Sequence, residues 1–278
     1  MLAPNRIRFA GVFSNELNMP DLIMDCAFDS DNSEVSTFLT REAVASESYD
    51  GRNRRINSFK YTENFAPKFT FLKKGFGDFS QDEVRVLLKY LTSKDTTGLL
   101  EAYDDDSNVI SWASIGNFSE IQLYKIANKR TVGVTAVWDS ISPFALSELY
   151  TVTKTVSNTT DNKITINIDT DDNKPVYPCV TIKQRGTASD VKFTNVHTDL
   201  LNQTKVIPSV EIKNNGSTET IVLDGANRII YSSSVNRVFD TDFNLNWLPL
   251  LDGKNEIAVE GNCTVTLEWR EVRKIGEY

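Results

Sequence analysis

Lys68–Leu91 reads KFTFLKKGFGDFSQDEVRVLLKYL, and its hydrophobic period changes partway along. Lys68–Lys73 carries Phe69 and Phe71, with Leu72 less regularly, in a β-favouring run. Ser80-Gln-Asp-Glu83 then forms a capping box, in which the serine oxygen and the glutamate carboxylate each satisfy an otherwise unpaired N–H. Phe79 and Val84 stand at the two positions of a hydrophobic staple. Val84, Leu87, Leu88 and Leu91 follow the i, i+3, i+4, i+7 spacing of a core-facing stripe. Asp82 and Glu83 complement the positive end of the helix. The spacing predicts a helix from about residue 80 to about residue 94.

That helix stands out because the flanking sequence alternates. Val132, Val134, Ala136 and Trp138 share one face of Thr131–Trp138. Ile164, Ile166 and Ile168 alternate with Thr165 and Asn167. Val265, Leu267 and Trp269 alternate with Thr266, Glu268 and Arg270. Period-two runs bounded by Gly, Asn, Asp and Pro clusters signal half-buried strands, so the fold class is mainly β. Ser157–Lys163 reads as a hairpin turn. Residues 30–56 lack a strong apolar period and contain the turn-like Tyr49-Asp50-Gly51, as expected of a long hairpin or arm.

A length of 278 residues suggests two domains, with the boundary after Pro143-Phe144-Ala145: residues 1–148 and 149–278. The first carries 16 basic and 21 acidic groups and the second 14 and 17, so neither half offers a basic face for phosphates. Tight nucleic-acid binding is not expected, although an acidic wall would let DNA slide past. The opening residues lack the apolar core of a signal peptide. No run approaches 18 apolar residues, so neither standard export nor membrane spanning is expected. The sequons at Asn158 and Asn202 read as accidental in an Asn- and Thr-rich chain.

Reactive chemistry is sparse. His197 is the only histidine, and no nucleophile motif accompanies it. Cys26, Cys179 and Cys263 are far apart and form neither a disulfide framework nor a metal knuckle. They read as small buried side chains. Asp104-x-Asp106-x-Asn108 and Asp169-x-Asp171-x-Asn173 begin like calcium loops. However, Val109 and Lys174 replace the turn glycine, and Ile115 and Val180 replace the bidentate glutamate. Gly75-Phe-Gly77-Asp-Phe-Ser80 superficially suits a dinucleotide turn, yet the third glycine is missing and Asp78 would repel pyrophosphate. No cofactor, metal or catalytic residue is assigned. The one basic cluster, Arg52, Asn53, Arg54 and Arg55, is either a solvated loop or an electrostatic contact to an acidic neighbouring subunit.

The order of several short motifs resembles the distal tail protein family of long-tailed, non-contractile phages. Ile7–Ser14 resembles its opening strand and turn, and Asp50-Gly51-Arg52 the turn ending its arm. The strand and helix around Ser80 follow, then Val134–Trp138 leading into Ser142-Pro143-Phe144-Ala145. Phe243-x-x-x-Trp247-Leu-Pro249-Leu-x-x-Gly253-x-Asn255-x-Ile257 resembles the family's closing turn, and Thr264–Val272 its terminal β-segment. Gly253 and Asn255 suit positive φ there. The resemblance implies an N-terminal β-sandwich or barrel-like domain with one α-helix and an extended arm, plus a C-terminal galectin-like β-sandwich. The last strand is expected to return to the first domain.

It further implies a non-enzymatic virion protein of the tail tip, assembled in the host cytoplasm. Copies would form a ring, typically a hexamer, joining the tail tube protein to the tail-tip protein and surrounding the DNA channel. The second domain would face outward, where a receptor-binding protein docks. The competing expectations are a carbohydrate-binding module contacting host cell-wall saccharide, with Trp247 and Tyr231 as aromatic platforms, and a hydrolase with a β-sandwich appendage.

Overall fold

The computed structural model describes residues 6–19, 21–27, 41–47, 54–61, 64–104, 109–126, 130–157, 162–172, 174–199 and 201–274. The chain divides into two compact units, one of Met1–Glu148 with Arg273–Tyr278 and one of Leu149–Val272.

In the first unit the strands are β1 (Arg6–Phe9), β2 (Val12–Phe13), β3 (Leu22–Ala27), β4 (Arg41–Glu47), β5 (Arg54–Tyr61), β6 (Lys68–Lys73), β7 (Gly98–Tyr103), β8 (Ile110–Ile126), β9 (Arg130–Ser140) and β10 (Ala145–Leu146). Seven of them run in the order β2-β1-β7-β8-β9-β6-β3, and β10 joins β8. Among the described residues, strands β4 and β5 pair only with each other, as an antiparallel hairpin that extends five residues past the expected end of the arm.

The helix α1 (Gln81–Leu91) starts as expected. The Ser80 oxygen accepts from the Glu83 N–H at 3.2 Å, and the Glu83 carboxylate accepts from the Ser80 N–H at 2.7 Å. Its end differs: the helix closes at Thr92, whose N–H and hydroxyl both turn back to the Leu88 carbonyl. Its buried stripe is Leu87, Tyr90 and Leu91, while Val84 and Leu88 are only half-buried. Tyr90 displaces them because its hydroxyl finds two acceptors, the carbonyls of Ile7 (3.4 Å) and Val12 (3.2 Å). A buried phenol is tolerated only with such partners.

The core of this unit is aromatic. Phe9 meets Phe118, Trp138 and Tyr90 edge to face, and Phe65 meets Trp112 likewise. Trp138 donates to the Ser114 hydroxyl (3.0 Å), which donates to that of Ser140 (3.0 Å). Ser140 in turn receives the Ser142 N–H, so the Ser-Pro-Phe-Ala segment is tied to the buried indole.

In the second unit the strands are β11 (Tyr150–Val156), β12 (Lys163–Ile168), β13 (Cys179–Gln184), β14 (Val191–Thr198), β15 (Thr204–Val206), β16 (Val210–Ile212), β17 (Thr220–Asp224), β18 (Ile229–Ser232), β19 (Gly253–Glu260) and β20 (Cys263–Trp269). One sheet runs β11-β20-β13-β17-β18 and the other β12-β19-β14-β15, with β16 on β14. All the ladders are antiparallel. The inner rows, Ile164, Ile166 and Ile168 against Val265, Leu267 and Trp269, are buried as their alternation requires.

Two sequence expectations fail here. Residues 158–161 lie outside the described residues, but the strands flanking Ser157–Lys163 do not form the expected hairpin, since β11 pairs with β20 and β12 with β19. Alternation fixes which face a strand buries but not which strand it joins. Asn255 is not a positive-φ turn residue. It lies inside β19, fully buried, and its side chain holds the bend instead. It donates to the Leu251 and Gly253 carbonyls at 2.7 and 3.2 Å, and accepts from the Leu251 N–H and the Asn195 amide. Gly253 does take positive φ, +100°, with the Thr198 carbonyl 2.8 Å from where a Cβ would sit.

Candidate docking surfaces

The residues able to do chemistry are placed as packing elements. His197 lies on the inner face of β14, where its Nε2–H donates to the Asp252 carbonyl at 2.7 Å and so supports the closing bend. Burial raises the Cys26 thiol above its ordinary range and pushes Cys263 up to about 11. Cys179 is only half-buried, contrary to expectation. It is raised first by burial and then by the nearby Asp224 and Glu268 carboxylates. Thiols so shifted are poor nucleophiles.

Asp104 accepts from the Ser111 hydroxyl, and the Asp169 N–H donates to Glu271. Asp106, Asn108 and Asn173 lie outside the described residues, as does the Asn158 sequon. Among the described residues no three His, Cys, Asp or Glu side chains gather as a metal would need. Asp78 of the glycine turn pairs with Arg130, with 2.5 Å between carboxylate and guanidinium. The helix N-terminus is already filled by its own glutamate.

The surfaces are more informative. Strand β8 is 17 residues long but pairs with β7 only through Gly116. Beyond that point its one strand partner is β9, so among the described residues no strand pairs with its other edge. Leu123, Tyr124 and Ile126 are exposed on this stretch. Leu123 and Tyr124, being adjacent, lie on opposite faces, and the register shift after Tyr124 puts its extra residue, Val132, on β9. The available sequence signal was the break in alternation at Leu123-Tyr124, which places adjacent apolar residues on opposite faces. A cleft of about 530 Å³ also opens beside α1, lined by Phe9, Ala10, Val12, Leu17, Val86 and Tyr90.

Of the basic cluster, Arg52 and Asn53 lie outside the described residues. Arg54 and Arg55 open β5 and pair with Glu47 and Ser46 of β4. The register therefore puts two of the four predicted residues at the start of a hairpin strand.

The outer faces of the second unit differ in chemistry. On the β11–β18 sheet, Thr153, Thr266, Thr181, Val222 and Tyr231 form one continuous cross-strand row. Thr153 and Thr266 are hydrogen-bonded at 3.0 Å, and Thr155 and Thr264 at 3.2 Å. The β12–β15 sheet instead carries ion pairs, Lys192–Glu211 at 3.4 Å and Lys254–Glu256 at 3.2 Å. Tyr231 is 53% exposed, whereas Trp247 is half-buried against Phe243.

Residues 144–269 match the family model of a phage tail C-terminal domain. No curated protein matches the sequence. Among solved structures, the Dit protein of phage SPP1 is described as a paradigm of the hub adsorption apparatus in phages infecting Gram-positive bacteria. It aligns at a TM-score of 0.60 and 10% identity, over 97% of this chain and 99% of that one. A chain of the phage P2 baseplate in its activated conformation with calcium aligns at 0.51 and 9% identity, over 99% and 100%. The resemblance read from the sequence is borne out in the fold: the whole chain shares the fold of the phage SPP1 hub protein, and residues 144–269 match the phage tail C-terminal domain model.

Proposed function

We propose that the chain is a structural subunit of a phage tail tip, whose copies close into a ring that joins the tail tube to the tail-tip proteins around the DNA channel. The observation that carries this reading is the alignment of 97% of the chain, both units included, with a phage hub protein. A ring of identical subunits needs a heterologous, closing interface. The edge of β8 beyond Gly116 and the β4–β5 hairpin, a two-stranded sheet of the kind that is marginal alone, supply the backbone for one. The excess of acidic over basic groups in residues 1–148 suits a channel that must not retain DNA.

In this reading six copies form the ring through their first units, the arm and its Arg52–Arg55 cluster touching an acidic neighbour. The second units carry receptor-binding or other baseplate proteins. Assembly takes place in the host cytoplasm, and function arises from shape and docking, with no catalytic step. Negative-stain images of the purified protein are expected to show rings with a central hole. Monomers alone, at high concentration and with the tube protein added, would overturn it.

A saccharide-binding role for the second unit is favoured by the exposed Tyr231 and the hydroxyl-rich row beside it. Against it, the Trp247 ring is already engaged by Phe243 and a guanidinium. A glycan array blank for the wild-type protein would remove that role.

A further inference from the structure

Arg228 is held in an unusual way for a surface arginine. Its guanidinium carbon sits 3.7 Å above the centroid of the Tyr177 ring and 5.5 Å from that of Trp247. Its backbone is left-handed, with φ 58°, a conformation that costs a non-glycine residue about 1 kcal/mol or more. The turn that presents it is tightly seated, since a Cβ on Gly225 would lie 2.6 Å from the Pro178 carbonyl. Asp224, the carboxylate nearest in sequence, is spent on Asn227, binding both its backbone N–H (3.0 Å) and its amide (2.7 Å).

Three other described arginines spend their charge inside the chain, while Arg85 and Arg185, like Arg228, have no ion pair among the described residues. Arg8 pairs with Glu101, Arg130 with Asp78, and Arg237 with Glu219 and Asp242. Arg228 has aromatic faces but no carboxylate among the described residues, in a chain where acids outnumber bases 38 to 30. Stacking fixes the plane of the guanidinium and leaves its N–H fork free, which is the preorganised form for bidentate capture of an oxyanion. Beside it on β18, an edge strand, Ile229 and Tyr231 are both about half exposed. Arg with Trp and Tyr is also the side-chain set that dominates protein–protein hot spots.

We propose that Arg228, stacked on Tyr177 and Trp247, is the anchor by which the second unit docks an acidic side chain of another tail protein. This rests on the structural role proposed above and adds the chemistry of the docking partner. A single stacked guanidinium in an acidic chain matches a single carboxylate, whereas a polyanionic wall polymer would meet net repulsion from the −8 charge.

The test is the protein composition of purified virions carrying Arg228→Glu, Arg228→Ala or Arg228→Lys, with ring formation by each full-length protein scored on negative-stain grids. Arg228→Glu is expected to leave rings intact and to deplete one further tail protein by about tenfold or more. An acid-to-lysine change in that protein should restore it. Arg228→Lys, which keeps the charge and loses the fork, should fall between wild type and Arg228→Ala. Unchanged composition in all three variants overturns the proposal. So does unchanged composition with weaker adsorption to isolated cell walls, which would transfer the site to an anionic polymer. Absence of rings from wild type and variants alike would defeat the ring reading while leaving the composition result to decide this one.

Discussion

The two units bury their interiors by different means. In the second, the longer strands give one face to the core and one to solvent, and most of the interior is rows of Ile, Val and Leu. In the first, the central strand β9 is buried on both faces. Val134, Ala136 and Trp138 point one way, and Thr131, Gly133 and Thr135 are also covered. Its core depends on a few large rings in edge-to-face contact and on a chain of serine hydroxyls behind Trp138. A core of many small equivalent contacts degrades gradually when one is removed, whereas a core built round a few rings fails at specific points.

The largest expected effect follows from that contrast. Trp138→Ala removes a fully buried indole and leaves Ser114 without its donor, costing about 3–5 kcal/mol. Ile182→Ala in β13 removes a fully buried but smaller side chain from the aliphatic rows, at about 2–5 kcal/mol. Calorimetry should show Trp138→Ala lowering one thermal transition and Ile182→Ala lowering another. A single transition shifted by either variant would mean that the two cores do not melt separately.

At the backbone the contrast is between single positions. A Cβ on Gly116 would lie 2.1 Å from the Asp139 carbonyl oxygen, backbone against backbone, so Gly116→Ala must spread the β8–β9 ladder. A loss of about 1–3 kcal/mol is expected, with faster amide exchange along Ser140 and its neighbours. Gly186 in the second unit has φ 78° but open space around it, so Gly186→Ala should cost only the left-handed penalty of about 1–2 kcal/mol. Unchanged amide exchange along Ser140 in Gly116→Ala would mean that the 2.1 Å approach is relieved without spreading the ladder.

How far the sequence can be read follows the same division. The inner rows of the second unit and the capping box at Ser80 were legible, because each is set by neighbours within a few residues. What escaped depends on partners far along the chain. Nothing local in Ser157–Lys163 shows that β11 goes to β20 and β12 to β19. Tyr90 enters the core because carbonyls about 80 residues earlier accept its hydroxyl. Asn255 looks like a turn residue by type, yet its value is as a buried connector to Asn195, 60 residues away. Removing that connector in Asn255→Ala strands the Leu251 backbone groups and the Asn195 amide. A cost of about 1–3 kcal/mol is expected, confined to the second unit's transition. The docking surfaces were the least legible, since this edge of β8 becomes visible only when β7 is seen to stop at Gly116.

The smallest effect concerns the one feature of the first unit that is local in sequence, the helix start. Ser80→Ala removes the acceptor for the Glu83 N–H and should cost about 1 kcal/mol. Glu83 also binds Lys73 at 2.6 Å. The Lys73 contact, first, and the Ser80 N–H, second, hold its carboxyl below the value of about 4.5 expected in the unfolded chain. Because the folded-state value is the lower one, this stabilisation is fully present above about 4.5 and disappears as pH falls through the folded-state value. Thermal melts of Glu83→Gln between pH 7 and pH 3 should therefore lie below wild type at neutral pH and converge on it in acid. The amide still reaches the Ser80 N–H, so what is lost at neutral pH is the Lys73 ion pair. The second unit's transition should not move. A shift in both transitions, or a gap that widens in acid, would place the pH dependence elsewhere in the chain.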